Sequence, residues 1–170
     1  TYYQLDLSAT HDLDEGPSQS GAGYRASVAH FIPVLPRNRV LVFLVGTAAT
    51  SPWASEEQVP IQSLVTLGRT DYLRGYAKRR FRDRVGWWGA VEYRYPIFDF
   101  RDTGAGLSST LFVDVGRVAG SYRELDEGPI RYSGGVGVRG ETAFAFVFRT
   151  QLGLSPEGPD RHQKASSPRC

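Results

Sequence analysis

Glu92 and Asp114 are the two carboxylates whose placement could do chemistry, because each lies in a segment of alternating polar and apolar residues. Paired carboxylates can serve as acid and base in bond cleavage. A run of cations from Arg74 to Arg84 precedes them, and carboxylates also neutralise guanidinium groups. No G-x-S-x-G nucleophile pattern occurs in the chain. We therefore predict that the protein is not an enzyme and has no catalytic residues.

The other candidate motifs for ligand chemistry are weak. Residues 135–140 fit G-x-G-x-x-G formally, but a dinucleotide site needs a helix to begin at that turn, and here one strand pattern runs into another. His11, His30 and His162 are far apart and lack acidic or cysteine companions at ligand spacing. Cys170 is the only cysteine, so no disulfide can form within one chain. We predict no metal site and no cofactor.

The overall charge is nearly balanced, with 20 Lys and Arg against 18 Asp and Glu. The cationic run contains aromatic residues, so a solvated loop, a lipid-headgroup site and a nucleic-acid site all remain compatible with it. Asp71, Asp83 and Asp99 reduce its local charge. Neither nucleic acid nor a small-molecule substrate is therefore expected as a partner.

The elements that position these residues are predicted to be strands. The chain has no Met but 19 Gly, 9 Tyr and 9 Phe, a composition that favours strands and turns over helices. Alternation with a period of two, interrupted by Gly, Pro, Asp and Ser, predicts seven strands. They cover residues 3–10, 24–35, 40–49, 87–98, 107–119, 130–141 and 144–154, with a turn at 33–38. Residues 51–86 show no clean period and form a long connection, which is typical of a functional loop.

Strand length and aromatic placement favour a membrane barrel over a soluble one. The predicted strands are about 10 to 13 residues long, as tilted membrane-spanning strands are. Aromatic residues near strand ends, such as Tyr3, Trp88 and Phe98, are typical of interfacial girdles. A soluble β-barrel or β-sandwich binding protein is the alternative. It requires one buried core made of Val91, Tyr93, Tyr95, Phe144, Phe146 and Phe148.

Five segments match a set of known motifs in order and spacing. Leu73-Arg74-Gly75-Tyr76 matches an R-G-(F/Y) loop motif. The segments Glu92–Ile97 and Phe112–Gly116 match E-Y-R-x-P and F-x-D-x-G strand motifs, and Gly134–Arg139 and Leu154–Gly158 follow them. Over roughly residues 64–158 the set resembles the BamA/TamA superfamily of outer-membrane assembly factors (the bacterial surface antigen family). In that family the first motif lies in the large sixth extracellular loop, and the last two segments resemble the penultimate hairpin and its continuation.

The resemblance implies a sixteen-stranded antiparallel transmembrane β-barrel whose long loop folds back into the lumen. The loop Arg74 is then held by acidic residues of the inner wall, for which we expect Asp114 and Glu92. A guanidinium in a partly dehydrated lumen is costly unless carboxylates match it. Gly75 is expected to let the loop turn tightly with a positive φ. The predicted role of this cluster is structural: it fixes the loop in place.

The expected domain plan is that of a fragment. Residues 1–158 correspond to the C-terminal part of the barrel, about half of its strands, with the long loop at about 51–86. Residues 159–170 form a polar tail without alternation and are expected to be disordered. The N-terminal residues lack a basic region followed by an apolar core, so no signal peptide is recognised, and we expect the sequence to begin within a longer protein.

The function that the resemblance implies is insertion of outer-membrane proteins in a Gram-negative-type envelope, through a weak barrel seam that exchanges strands with a client. The partners are then outer-membrane lipid and unfolded outer-membrane protein clients. A secretion pore, or the barrel anchor of an exported passenger domain, is the alternative within the same superfamily. The soluble binding protein is a third possibility.

Overall fold

The computed structural model describes residues 1–10, 21–34, 39–52, 59–69, 72–100, 105–141 and 147–157. Nine strands occur in these ranges: β1 (Tyr2–Thr10), β2 (Gly21–Val34), β3 (Arg39–Pro52), β4 (Val65–Leu67), β5 (Phe81–Asp83), β6 (Val85–Phe100), β7 (Ala105–Ala119), β8 (Arg131–Glu141) and β9 (Val147–Leu154). Single turns of 3₁₀ helix lie at Ile61–Ser63 and Arg123–Asp126. Among the residues described, no helix has the length and apolar character needed to cross a membrane.

Seven of the strands form one antiparallel sheet in the order β1-β2-β3-β6-β7-β8-β9, and β4 and β5 form a separate hairpin. Each main strand pairs with its neighbour in sequence, apart from the long connection between β3 and β6. In the described chain, β1 and β9 are the edges of the sheet. The predicted all-β antiparallel fold of about seven strands, with one long connection, is confirmed.

The strand boundaries differ from the prediction mainly next to turns. β2 begins at Gly21, and it continues through Pro33 and Val34, which pair with Val40 and Arg39. The predicted turn at 33–38 therefore starts later. The rest of that turn, the first residues of the last predicted strand and the polar tail lie outside the described residues.

The sheet has two unlike sides, which we call the covered face and the open face. The covered face carries the long connection; Trp88, Glu92 and Asp114 of β6 and β7 lie on it and are buried. Alternate residues of the same strands, such as Val91 and Val113, point to the open face and are exposed. The sequence alternation predicts that Glu92 and Asp114 lie on the polar side of their strands, and in the structure that side is the covered face.

The long connection packs through a small hydrophobic core on the covered face. Its members are Ala48, Val65, Leu67, Leu73, Tyr76 and Trp88. Trp88 pairs across the sheet with Gly46 on one side and Gly116 on the other. A Cβ at Gly46 would lie 2.4 Å from the Trp88 ring, and one at Gly116 would lie 3.1 Å from Leu67 Cδ1. The two glycines therefore make room for the tryptophan and for the loop above it.

One sequence expectation about this region needs correction. The position of Trp88 near a strand end predicts an interfacial girdle, but it is fully buried and stacks on Tyr72 of the loop, with ring centroids 5.0 Å apart. The long connection, which shows no clean period in sequence, contains the hairpin in which Val65 pairs with Asp83. Strands of three residues are too short to produce a periodic signal in sequence.

Candidate functional site

Arg74 is positioned by a strained turn of the loop. Tyr72 and Leu73 have positive φ angles of 65° and 58°, a conformation that non-glycine residues rarely adopt. The amides of Gly68, Arg69 and Tyr76 donate to the carbonyls of Tyr72 or Leu73 at 2.9 to 3.2 Å. Leu73 is also fully buried in the loop core. Backbone strain of this kind persists only where surrounding contacts fix it, and here they direct Arg74 at the sheet.

Asp114 on β7 receives Arg74 through both backbone and side chain. The Arg74 amide donates to Asp114 Oδ2 at 2.9 Å, and Nε donates to the same oxygen at 2.9 Å. Arg74 Nη2 donates to Oδ1 at 2.6 Å, which completes a bidentate pair. Ser133 Oγ on β8 lies 3.5 Å from Oδ2. Because Asp114 is fully buried, its charge is balanced almost entirely by this arginine.

Glu92 on β6 joins Arg74 to a second arginine of the wall. Arg74 Nη1 donates to Glu92 Oε1 at 2.5 Å. Arg94 donates to the other oxygen, Oε2, from Nε at 2.9 Å and from Nη2 at 2.5 Å. Arg149 on β9 is more distant, with Nη2 3.9 Å from Glu92 Oε1. Glu92 therefore bridges the loop and its own strand.

Phe112 and Gln151 complete the surroundings of the Arg74 guanidinium. Its Cζ lies 3.7 Å from the centroid of the Phe112 ring, a cation–π contact. With its amide oxygen turned toward the arginines, Gln151 accepts from Arg74 Nη1 at 3.2 Å and from Arg149 Nε at 3.1 Å. Phe112 was singled out in sequence only as a motif residue. Arg94 and Gln151 were missed as partners, although both lie on the polar side of their strands.

The electrostatics of the cluster keep Arg74 charged. Burial opposes the charged guanidinium, but the hydrogen bonds and negative charges of Asp114 and Glu92 outweigh it and raise the pKa of Arg74. Among the described residues, no three acidic, histidine or cysteine side chains come together as a metal would require. The arrangement is suited to holding opposite charges together.

Gly75 is required for a different reason from the one expected. A positive φ occurs at Gly68, at 131°, and not at Gly75. Instead, a Cβ at Gly75 would lie 2.4 Å from the Leu154 carbonyl oxygen and 2.8 Å from Ser133 Cβ. On the opposite side of this contact, a Cβ at Gly153 would lie 2.6 Å from the Arg74 carbonyl oxygen. The two glycines allow the loop backbone to lie directly against the end of β9.

Tyr76 forms a second contact between the loop and the end of β9. The ring is buried and meets Phe81 edge-on, with centroids 5.0 Å apart. Arg80 lies over the same ring and pairs with Glu157 at 3.2 Å. Burial, and then the charge of Glu157, raise the pKa of Tyr76. All four residues of the Leu73–Tyr76 motif are therefore in contact with the covered face or with the end of β9.

Comparison with known proteins identifies one family. The model of the Omp85 superfamily domain matches residues 19–163. The match includes six of the seven main strands, the whole long connection, and Arg74, Glu92 and Asp114. No curated protein matches the chain.

Proposed function

The chain belongs to the Omp85 superfamily, and from this premise we propose that it forms part of the barrel wall of an outer-membrane protein assembly factor. The superfamily is a family of bacterial outer-membrane proteins that act in the insertion or transport of other proteins, and it is not enzymatic. The proposal adds two points: the function is assembly of outer-membrane clients, and the cluster around Arg74 fixes the long loop inside the barrel.

The open face supports contact with lipid. Val113 and Phe148 are 59% and 46% exposed, and Val91 is also exposed. A soluble core would bury Val91, Tyr93, Tyr95 and Phe148 together, but none of these four is buried. Phe144 and Phe146 lie outside the described residues. Apolar residues that alternate with polar ones and face outward are what a barrel wall presents to hydrocarbon.

One observation carries the proposed role of the loop: Arg74 bonds to residues of three different wall strands. Its partners are Asp114 on β7, Glu92 on β6 and Gln151 on β9. Ion clusters in a dehydrated site add little net stability, because desolvation offsets their attraction, but they select one arrangement strongly. The cluster is therefore suited to keeping a long loop in one position against the wall.

A double-mutant cycle in the full-length protein tests the role of the loop. The variants are Arg74→Ala, Asp114→Ala and the combination, measured by heat-modifiable mobility on a gel and by protease protection of the loop. We expect each single change to expose the loop and the double change to add no further exposure, because residues of one network couple. Arg82→Ala is the matched control, since Arg82 is an exposed loop arginine whose donor contact within the described residues is to the Arg79 carbonyl, at 3.3 Å.

Additive effects of the two single changes, or equal loss of protection in the Arg82 variant, would show that Arg74 does not act through Asp114. Depletion of the full-length protein tests the assembly function separately. We expect the amounts of other folded outer-membrane proteins to fall. Normal amounts of those proteins, together with loss of one exported passenger, would replace assembly by secretion.

A further inference from the structure

Arg117, near the end of β7, is a buried cation without a matching anion. The residue is 6% exposed. Its Nη2 donates to the backbone carbonyl of Glu124 at 2.6 Å, and this is its only hydrogen bond in the described chain. No carboxylate of the described residues forms an ion pair with it. A guanidinium has five N–H donors, so most of the donors of Arg117 have no acceptor among the described residues.

A cavity of about 440 Å³ lies beside Arg117, between the long loop and the β7–β8 connection. Phe81, Val118 and Pro129 give it an apolar lining. The connection lies close against the guanidinium, since a Cβ at Gly128 would be 2.7 Å from Arg117 Nη2. A cavity of this size suits a small molecule with an apolar part and a few polar groups.

The same cavity is lined by carboxylates without a matching cation. Asp83 and Glu124 both approach Gly120, where a Cβ would lie 3.7 Å from Asp83 Oδ1 and 3.0 Å from Glu124 Oε2. Asp83 Oδ1 accepts from the Arg84 amide, and the Glu124 oxygens accept from Gly120 and Ser121. Neither carboxylate forms an ion pair within the described residues.

The other charged residues that line the cavity do not supply an ion-pair partner for Arg117, Asp83 or Glu124 within the described residues. Arg131 is already paired with Glu157 outside the cavity. Glu127 adds one more carboxylate. Arg117 and the acidic residues therefore remain separate and unmatched in a single cavity.

We propose that this cavity binds a small zwitterion of amino-acid size, with its carboxylate on Arg117 and its ammonium group on Asp83 and Glu124. A planar guanidinium recognises a carboxylate through two parallel hydrogen bonds. A polyanion is repelled by the acidic residues, and a simple cation leaves Arg117 without a partner. The apolar part of the ligand lies against Phe81, Val118 and Pro129.

Three related probes test the proposal on the full-length protein in detergent: phenylalanine, 3-phenylpropionate, which lacks the amine, and phenethylamine, which lacks the carboxylate. Saturation-transfer NMR titrations measure the affinity of each. We expect phenylalanine to bind at least about tenfold more tightly than either analogue, because each charged contact contributes about that much. Equal binding of 3-phenylpropionate and phenylalanine, or absence of binding by all three, overturns the proposal.

Two variants assign the contacts. Arg117→Gln retains a donor for the Glu124 carbonyl, and we expect it to reduce phenylalanine binding to the level of phenethylamine. Asp83→Asn is expected to weaken phenylalanine and to leave 3-phenylpropionate unchanged. Heat-modifiable mobility verifies that each variant is folded; should Arg117→Gln fail that check, Asp83→Asn decides the outcome. Unchanged phenylalanine affinity in a folded variant contradicts the proposed site.

Discussion

Two buried arginines of this protein have opposite surroundings. Arg74 contacts two carboxylates, an aromatic ring and the amide of Gln151. Arg117 is 6% exposed, and among the described residues it donates to one backbone carbonyl only, with a cavity beside it. Both side chains carry the same guanidinium group. Direct ion pairs, and not burial itself, separate the two: Arg74 pairs with Asp114 and Glu92, whereas no carboxylate of the described residues pairs with Arg117.

The packing of the backbone also differs between the surroundings of the two arginines. Near Arg74 the loop and β9 meet so closely that Gly75 and Gly153 leave no space for a Cβ. Near Arg117 the connection between β7 and β8 stands away from the loop and leaves a cavity. A second cavity, of about 560 Å³, is lined by Arg74, Glu92 and Arg149, so both arginines border open space. The difference between them is therefore the direct ion pairs of Arg74, and not the space around it.

The largest expected contrast is in stability. Asp114→Ala leaves Arg74 buried without its main partner, and we expect it to lower the free energy of unfolding by about 3–5 kcal/mol. Arg117→Gln removes a buried charge but retains one donor, so the expected change is within about 1 kcal/mol. Urea titrations of the full-length protein in lipid vesicles, followed by gel mobility, measure both. Similar losses in the two variants would remove the distinction between the two arginines.

A smaller contrast is expected from adding one methyl group. Gly75→Ala places a Cβ 2.4 Å from the backbone oxygen of Leu154, which cannot move without shifting β9. We expect a loss of about 1–3 kcal/mol and greater cleavage of the loop by protease. Gly120→Ala is the matched change near Arg117, where the closest atom is the flexible end of Glu124 at 3.0 Å. That variant is expected to keep normal loop protection, and loss of protection there would contradict the difference in packing.

The period-two alternation of the sequence is sufficient to predict the sheet and to place Glu92 and Asp114 on the same side of it. Alternation within β6 and β7 assigned Glu92 and Asp114 to one side, because a strand reverses its side chains at each residue. The same rule would have assigned Trp88 to the covered face, since it is four residues from Glu92. Aromatic type at a strand end predicts an interfacial residue, whereas parity predicts the buried position that Trp88 occupies.

Features that depend on contacts between distant segments could not be predicted. The restriction at Gly75 comes from Leu154 and Ser133, which are far away in sequence. The cavity beside Arg117 exists because the loop and the β7–β8 connection lie against the same end of the sheet. Neither arrangement leaves a local pattern, so arginine type and spacing gave no indication that Arg117 differs from Arg74. The role of the Arg74 cluster in fixing the loop stays a prediction until the double-mutant cycle tests it.

The smallest expected contrast is in the response to salt. Screening is strong for charges in contact with solvent and weak for buried pairs, and the Debye length falls from about 10 Å at 0.1 M to about 3 Å at 1 M. Protease protection of the loop is therefore expected to be unchanged over this range, because Asp114 is fully buried beneath Arg74. Phenylalanine affinity is expected to fall by about twofold, because Glu124, which would hold the ammonium group, is exposed to solvent ions. A loss of loop protection with salt, together with constant phenylalanine binding, would contradict both the buried Arg74 cluster and the proposed contact with Glu124.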